Sequence, residues 1–127
     1  MQISIKKKLN ISFELAVKKV TEELAKQGFG IITTIDVQDV LKKKLNKEFR
    51  KFLILGACNP EFAHNAIEQN DEVSLLLPCN VVIQEKESLV EIMAFNPDVL
   101  TKLFDDEKLR DLSVILKERI EEVFKNL

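Results

Sequence analysis

Ile3 and Ile5 alternate with Gln2 and Ser4 at the start of the chain, a period of two that predicts a half-buried strand over 2–9 before Lys6, Lys7 and Lys8 take over. From Phe13 the period changes. Phe13, Ala16, Val17, Val20 and Leu24 recur at steps of three and four, with Lys18, Lys19, Glu22, Glu23 and Lys26 on the other side, which predicts an amphipathic helix over 13–27. Ser12 stands where an N-cap belongs, and Gly28 where a left-handed C-cap belongs. The β-branched run FGIITTI, 29–35, reads as a strand, and Asp36 caps a short helix carried by Val37, Val40, Leu41 and Leu45.

Phe52-Leu53-Ile54-Leu55 is continuously apolar, the mark of a strand buried on both faces, and it feeds directly into GACNPEF. Asn59 as N-cap and Pro60 at the first helical position open a helix through about Gln69, with Phe62, Ala63, Ala66 and Ile67 inward. Val73 to Leu77 and Val81 to Ile83 flank Pro78-Cys79-Asn80. They read as one strand bent at the proline, which has no N–H for a ladder. Glu85 to Ser88 is a polar turn, and Leu89 to Met93 returns as the hairpin partner. Beyond Pro97 the chain is helical. One or two turns end by Phe104, and a longer helix from about Asp106 carries the stripe Leu109, Leu112, Leu116, Ile120, Val123, Leu127. The order β-α-β-α-β-α-β-β-α predicts a single compact α+β domain over 1–127, a mixed sheet of about five strands with helices packed on it. The C-terminal helix is the element expected to reach beyond its own chain.

Composition narrows the function classes. The 127 residues carry 19 basic and 21 acidic side chains, a net charge of -2. The only basic clusters, Lys6 to Lys8 and Lys42 to Lys44, lack interleaved aromatics, so no nucleic-acid partner is expected. No apolar run approaches the roughly 20 residues of a membrane span, and the start MQISIKKKLN is not that of a signal peptide. No membrane association is expected, and the expected compartment is the cytoplasm, where two cysteines stay reduced.

No Walker loop, GxSxG, HExxH or CxxC is present. Gly28-Phe29-Gly30 follows a helix and precedes a strand, the reverse of a phosphate-cradling turn. Two Cys-Asn segments remain, Cys58-Asn59-Pro60 and Pro78-Cys79-Asn80. Cys58 lies one residue before an N-cap, where orphan N–H groups and the helix dipole favour a thiolate. Against that, an unpaired cysteine is commonly a small packed hydrophobe. His64, the only histidine, lies six residues beyond Cys58. Cys58, His64 and Cys79 fall short of the four closely spaced ligands of structural zinc, so no metal is expected. Neither a cofactor nor a substrate is legible. The acidic pairs Asp105-Asp106 and Glu121-Glu122 do not face a common point on a helix, and capping accounts for Asp36.

Taken together, GFG with its β-branched run, Ile35-Asp36-Val37, ILGACNP at 54–60 and LLLPCNVVI at 75–83 are similar to the DUF302 family, whose fold is TT1751-like. The resemblance covers about 13–97, with a C-terminal helical extension over 98–127. It implies a compact α+β domain, a homodimer, and a family without an established activity. The family's motif residues fall on Gly28, Gly30, Asp36, Cys58, Asn59, Pro60, Pro78, Cys79 and Asn80. Two positions depart: Asn96-Pro97 stands where the family commonly has Asp-Pro, and His64 stands where an aromatic is usual.

Three functions follow as expectations. The first is a homodimeric, non-catalytic or regulatory domain holding a small, anionic ligand between the Cys58-Asn59-Pro60 helix start and the Pro78-Cys79-Asn80 bend. The second makes Cys58 and Cys79 a redox or nucleophilic thiol pair. The third is a protein-interaction module docking through the C-terminal helix.

Overall fold

The helices of the computed structural model, which describes residues 2–127, start where the sequence supplies side-chain caps. Ser12 Oγ accepts from Leu15 N at the head of α1 (Phe13–Lys26), and Asp36 Oδ1 accepts from Asp39 N at the head of α2 (Val37–Leu45). Asn59 Oδ1 accepts from Phe62 N for α3 (Pro60–Gln69), and Asp106 Oδ1 from Leu109 N for α5 (Glu107–Lys125). Each cap satisfies a first-turn N–H that has no intrahelical partner, a gain of about 1 kcal/mol over alanine. Ahead of α4 (Asp98–Leu103), Asn96 Oδ1 accepts from Asp98 N while its Nδ2 donates to the Gln2 carbonyl. A carboxylate could accept but not donate. Asn96 thus ties the start of the chain to its helical end.

Five strands, β1 (Ser4–Leu9), β2 (Gly30–Asp36), β3 (Phe52–Cys58), β4 (Cys79–Lys86) and β5 (Leu89–Phe95), form one sheet in the order β1-β5-β4-β3-β2. The α+β class and the element order are those the pattern predicts, but the sheet is not mixed: all four neighbouring pairs are antiparallel. The reason lies in the connections. The nine-residue α2 returns the chain to the end at which β2 finished, so β3 runs back beside it. Glu87 and Ser88, both at positive φ, make the two-residue turn between β4 and β5.

Antiparallel pairing also corrects the reading of β3 as buried on both faces. Register sets Leu53, Leu55 and Ala57 beside Ile83, Val81 and Cys79, and these beside Ile92 and Ala94 of β5. That face is the core. Phe52 and Ile54, on the opposite face, are only half-buried. α1 lies across β4 and β2, and α5 packs against α1, α3 and α4. Leu109, Leu116, Ile120 and Val123 of α5 are buried in its own chain, whereas Val114 and Ile115 are half exposed. Burying each such aliphatic side chain is worth about 1.5–3 kcal/mol. That outweighs what the exposed Arg110–Asp105 pair at 3.9 Å can add.

The bent strand over Val73 to Ile83 is a third correction. Asp71–Leu76 is a short 3-10 helix, and β4 begins only at Cys79. Asn70 Oδ1 accepts from Glu72 N and so starts a helical turn, which buries Val73 and leaves Leu75 80% exposed. The apolar run was sampling two sides of a turn. Pro78 then stands ahead of the ladder, where no N–H is required of it.

Gly56 is what allows the sheet to close at this end. A Cβ there would overlap Thr33 Oγ1 and lie 2.9 Å from Pro78 Cγ. Gly56→Ala is therefore expected to destabilise the fold by about 1–3 kcal/mol in urea unfolding, as overpacked sites do. A change within error of zero would show that the strands part freely there.

Candidate functional site

Between the end of β3, the start of α3 and the Leu77-Pro78-Cys79 segment lies a cavity of about 240 Å³. It joins four of the six expected site residues, Cys58, Asn59, Pro78 and Cys79. Pro60 and Asn80 are exposed and do not line it. Phe29, Phe62, Ile67 and Leu77 make the walls, with Ala63 on the first turn of α3. Ile32 joins them from β2, where the register shifts between Ile31 and Thr33. Such a bulge re-aims a side chain and here turns Ile32 to the cavity. A wider hollow of about 560 Å³ runs past Leu75 and Phe104 but contains neither cysteine.

The lining chemistry of the cavity is apolar. Pro60 has no N–H, and Phe62 N is taken by Asn59 Oδ1. Glu61 brings a carboxylate into the first turn. Little donor capacity remains at this helix start for an anion. Asn59 is 7% exposed and is the one strongly polar side chain on the cavity wall.

Both cysteines are free thiols. Ala57 is the Cα partner of Cys79, so Cys58 sits one residue beyond it, while pleating turns successive side chains to opposite faces. Burial pushes the Cys79 thiol up to about 12, and the neighbouring Cys58 adds to the shift. Cys79 is thus a neutral, packed group at ordinary pH and a poor nucleophile. His64 is exposed on α3 with Nε2 3.4 Å from Glu68 Oε1, and it does not line the cavity. Among the described residues no three His, Cys, Asp or Glu side chains converge as a metal set would.

Two residues at this end of the fold escape sequence reading. Gly56 could have been suspected as a glycine inside a strand. Arg119 carried no signal, since it reads as one charge among many on an amphipathic helix. It lines a narrow groove of about 110 Å³ that shares Asn59, Phe62 and Leu116 with the cavity.

The family profile described as "Domain of unknown function DUF302" matches residues 5–127. The match takes in β1 and the C-terminal helices, outside the 13–97 stretch that carries the sequence resemblance. A solved structure, the uncharacterized conserved protein DUF302 from Bacillus stearothermophilus, is 21% identical, with a TM-score of 0.91 over 99% of this chain and 98% of that one. At that identity the likeness is one of fold. No curated protein matches the chain.

The geometry sets the two thiols apart. In native protein at pH 8, iodoacetamide is expected to alkylate Cys58 and spare Cys79, with both alkylated in denaturant, read by peptide mass. Native labelling of Cys79 would contradict its burial. Because the folded thiol is raised from 9.0 to about 12, its contribution is intact below pH 9 and lost as pH climbs from 9 toward 12. Unfolding free energy should fall there by about 1.4 kcal/mol per pH unit more than in Cys79→Ala. Parallel curves would refute the shift.

Proposed function

We propose a binding function for this chain, which belongs to the DUF302 family: it holds a small, largely apolar molecule in the cavity between Cys58, Asn59, Pro78 and Cys79, without turning it over. The observation that carries the reading is that two separated Cys-Asn segments contribute to one apolar cavity with a single strongly polar wall residue. Few polar groups on an otherwise apolar lining orient a ligand, and the volume suits a molecule of a few carbon atoms. A neutral Cys79 adds to the apolar lining and weighs against the redox alternative.

The reading includes a homodimer in the cytoplasm. Free thiols agree with a reducing compartment, and no described helix is long and apolar enough to cross a membrane. Exposed Ile35 on the edge strand β2 and Val40 and Leu45 on α2 give a second copy an apolar surface to cover.

Titration of 15N-labelled protein with 1-hexanol tests the binding reading. Amide shifts are expected to cluster at Cys58, Asn59, Phe62 and Cys79, and to weaken at least tenfold in Ala63→Phe, which fills the cavity. Scattered shifts, or equal responses from the two proteins, would sink it.

A further inference from the structure

Asn59 spends only half of its carboxamide on capping. Oδ1 accepts from Phe62 N, whereas Nδ2 has no protein acceptor among the described residues and, since no buried side-chain N or O is left without a partner there, it opens to solvent at the rim of a residue otherwise only 7% exposed. Nor does the Arg119 guanidinium of α5 have a carboxylate within 4.0 Å among the described residues. Glu61 stands on the same groove but does not reach it.

These two donors converge. A Cβ built on Gly28 would lie 3.4 Å from Asn59 Nδ2 and 3.5 Å from Arg119 Nη1. Gly28 closes α1 at a φ of 85°, with Gly28 N on the Ala25 carbonyl and Phe29 N on that of Leu24, so its missing side chain leaves a gap between the donors. The groove holding Arg119 and the apolar cavity meet at Asn59, Phe62 and Leu116. An apolar body in the cavity would thus have its end at a guanidinium and an amide N–H, both without protein acceptors. A guanidinium is built to grip a planar carboxylate.

We propose that the ligand is an amphiphile, a short aliphatic carboxylate whose head is held by Arg119 and Asn59 beside Gly28. This rests on the cavity reading and adds the head group to it. The site is not the helix N-terminus: Pro60 and the Asn59 cap have already used or removed those donors.

Calorimetric titration of hexanoate and 1-hexanol at pH 7 tests it. Hexanoate is expected to bind wild type roughly tenfold more tightly than 1-hexanol, the lower end of what a charge-assisted contact at a part-exposed site gives. Arg119→Met should erase that preference while leaving 1-hexanol binding within twofold, and Arg119→Lys should keep part of it. Equal affinities in wild type, or a preference that survives in Arg119→Met, would overturn the head-group assignment and leave the cavity reading standing. Loss of both ligands in Arg119→Met would make the arginine merely structural and overturn it too. If neither ligand binds wild type, the cavity reading fails and this one falls with it.

Discussion

Burial of one face of an antiparallel sheet is the constraint on which the rest of this molecule depends. Leu55, Val81, Ile83, Ile92 and Ala94 line up across three strands by register, and α1 and the C-terminal helix have to cover them. A slip of one residue would turn the whole set outward, so the hydrophobic pattern fixes the register. The same alternation leaves Phe52 and Ile54 only half-buried on the other side. The site follows from where this arrangement ends. β3 stops at Cys58, β4 has only begun at Cys79, and α3 departs from the junction. Helices that pack on the middle of the sheet do not seal that end, and a cavity remains there.

Close approach is what shapes the cavity. Gly56 lets Thr33 and Pro78 come together over the backbone of β3. Gly28 does the equivalent for α1, bringing its C-terminal end against Asn59 and Arg119. One glycine therefore seals the sheet and the other opens a gap. The distinction is in the neighbours, since a Cβ at Gly56 meets other atoms at overlap distance and one at Gly28 meets donors at ordinary contact.

Local signals were legible in the sequence to the extent that they were physically local. Ser12, Asp36 and Asn59 cap as their positions require, and the stripe from Leu109 to Val123 is the buried side of α5. Asp71 to Leu76 misled because a run of Val and Leu has strand propensity, whereas Asn70 commits the backbone to a turn one residue earlier. Strand direction, and so the absence of parallel pairs, depends on how α2 returns the chain, which periodicity does not encode. The repeated Cys-Asn dipeptide marks Cys58 and Cys79 in the sequence, and register makes them near neighbours. The chemistry was harder to see: the burial that makes Cys79 a neutral thiol comes from side chains far apart in sequence.

Arg119 illustrates the deepest limit. On its helix it stands at the edge of the apolar stripe, three residues after Leu116 and four before Val123, and only the packing of α5 against α3 sets its guanidinium beside Asn59. Among the described residues the guanidinium has no carboxylate partner and the amide N–H no protein acceptor, so both donors are left to water at this rim. A head group that displaced that water beside an apolar cavity would hold both donors more strongly, because a charge-assisted hydrogen bond gains strength as water is excluded. An apolar chamber with a neutral Cys79 on its wall and two unspent donors at its rim is therefore better matched to one molecule with two ends than to an anion or a hydrocarbon alone.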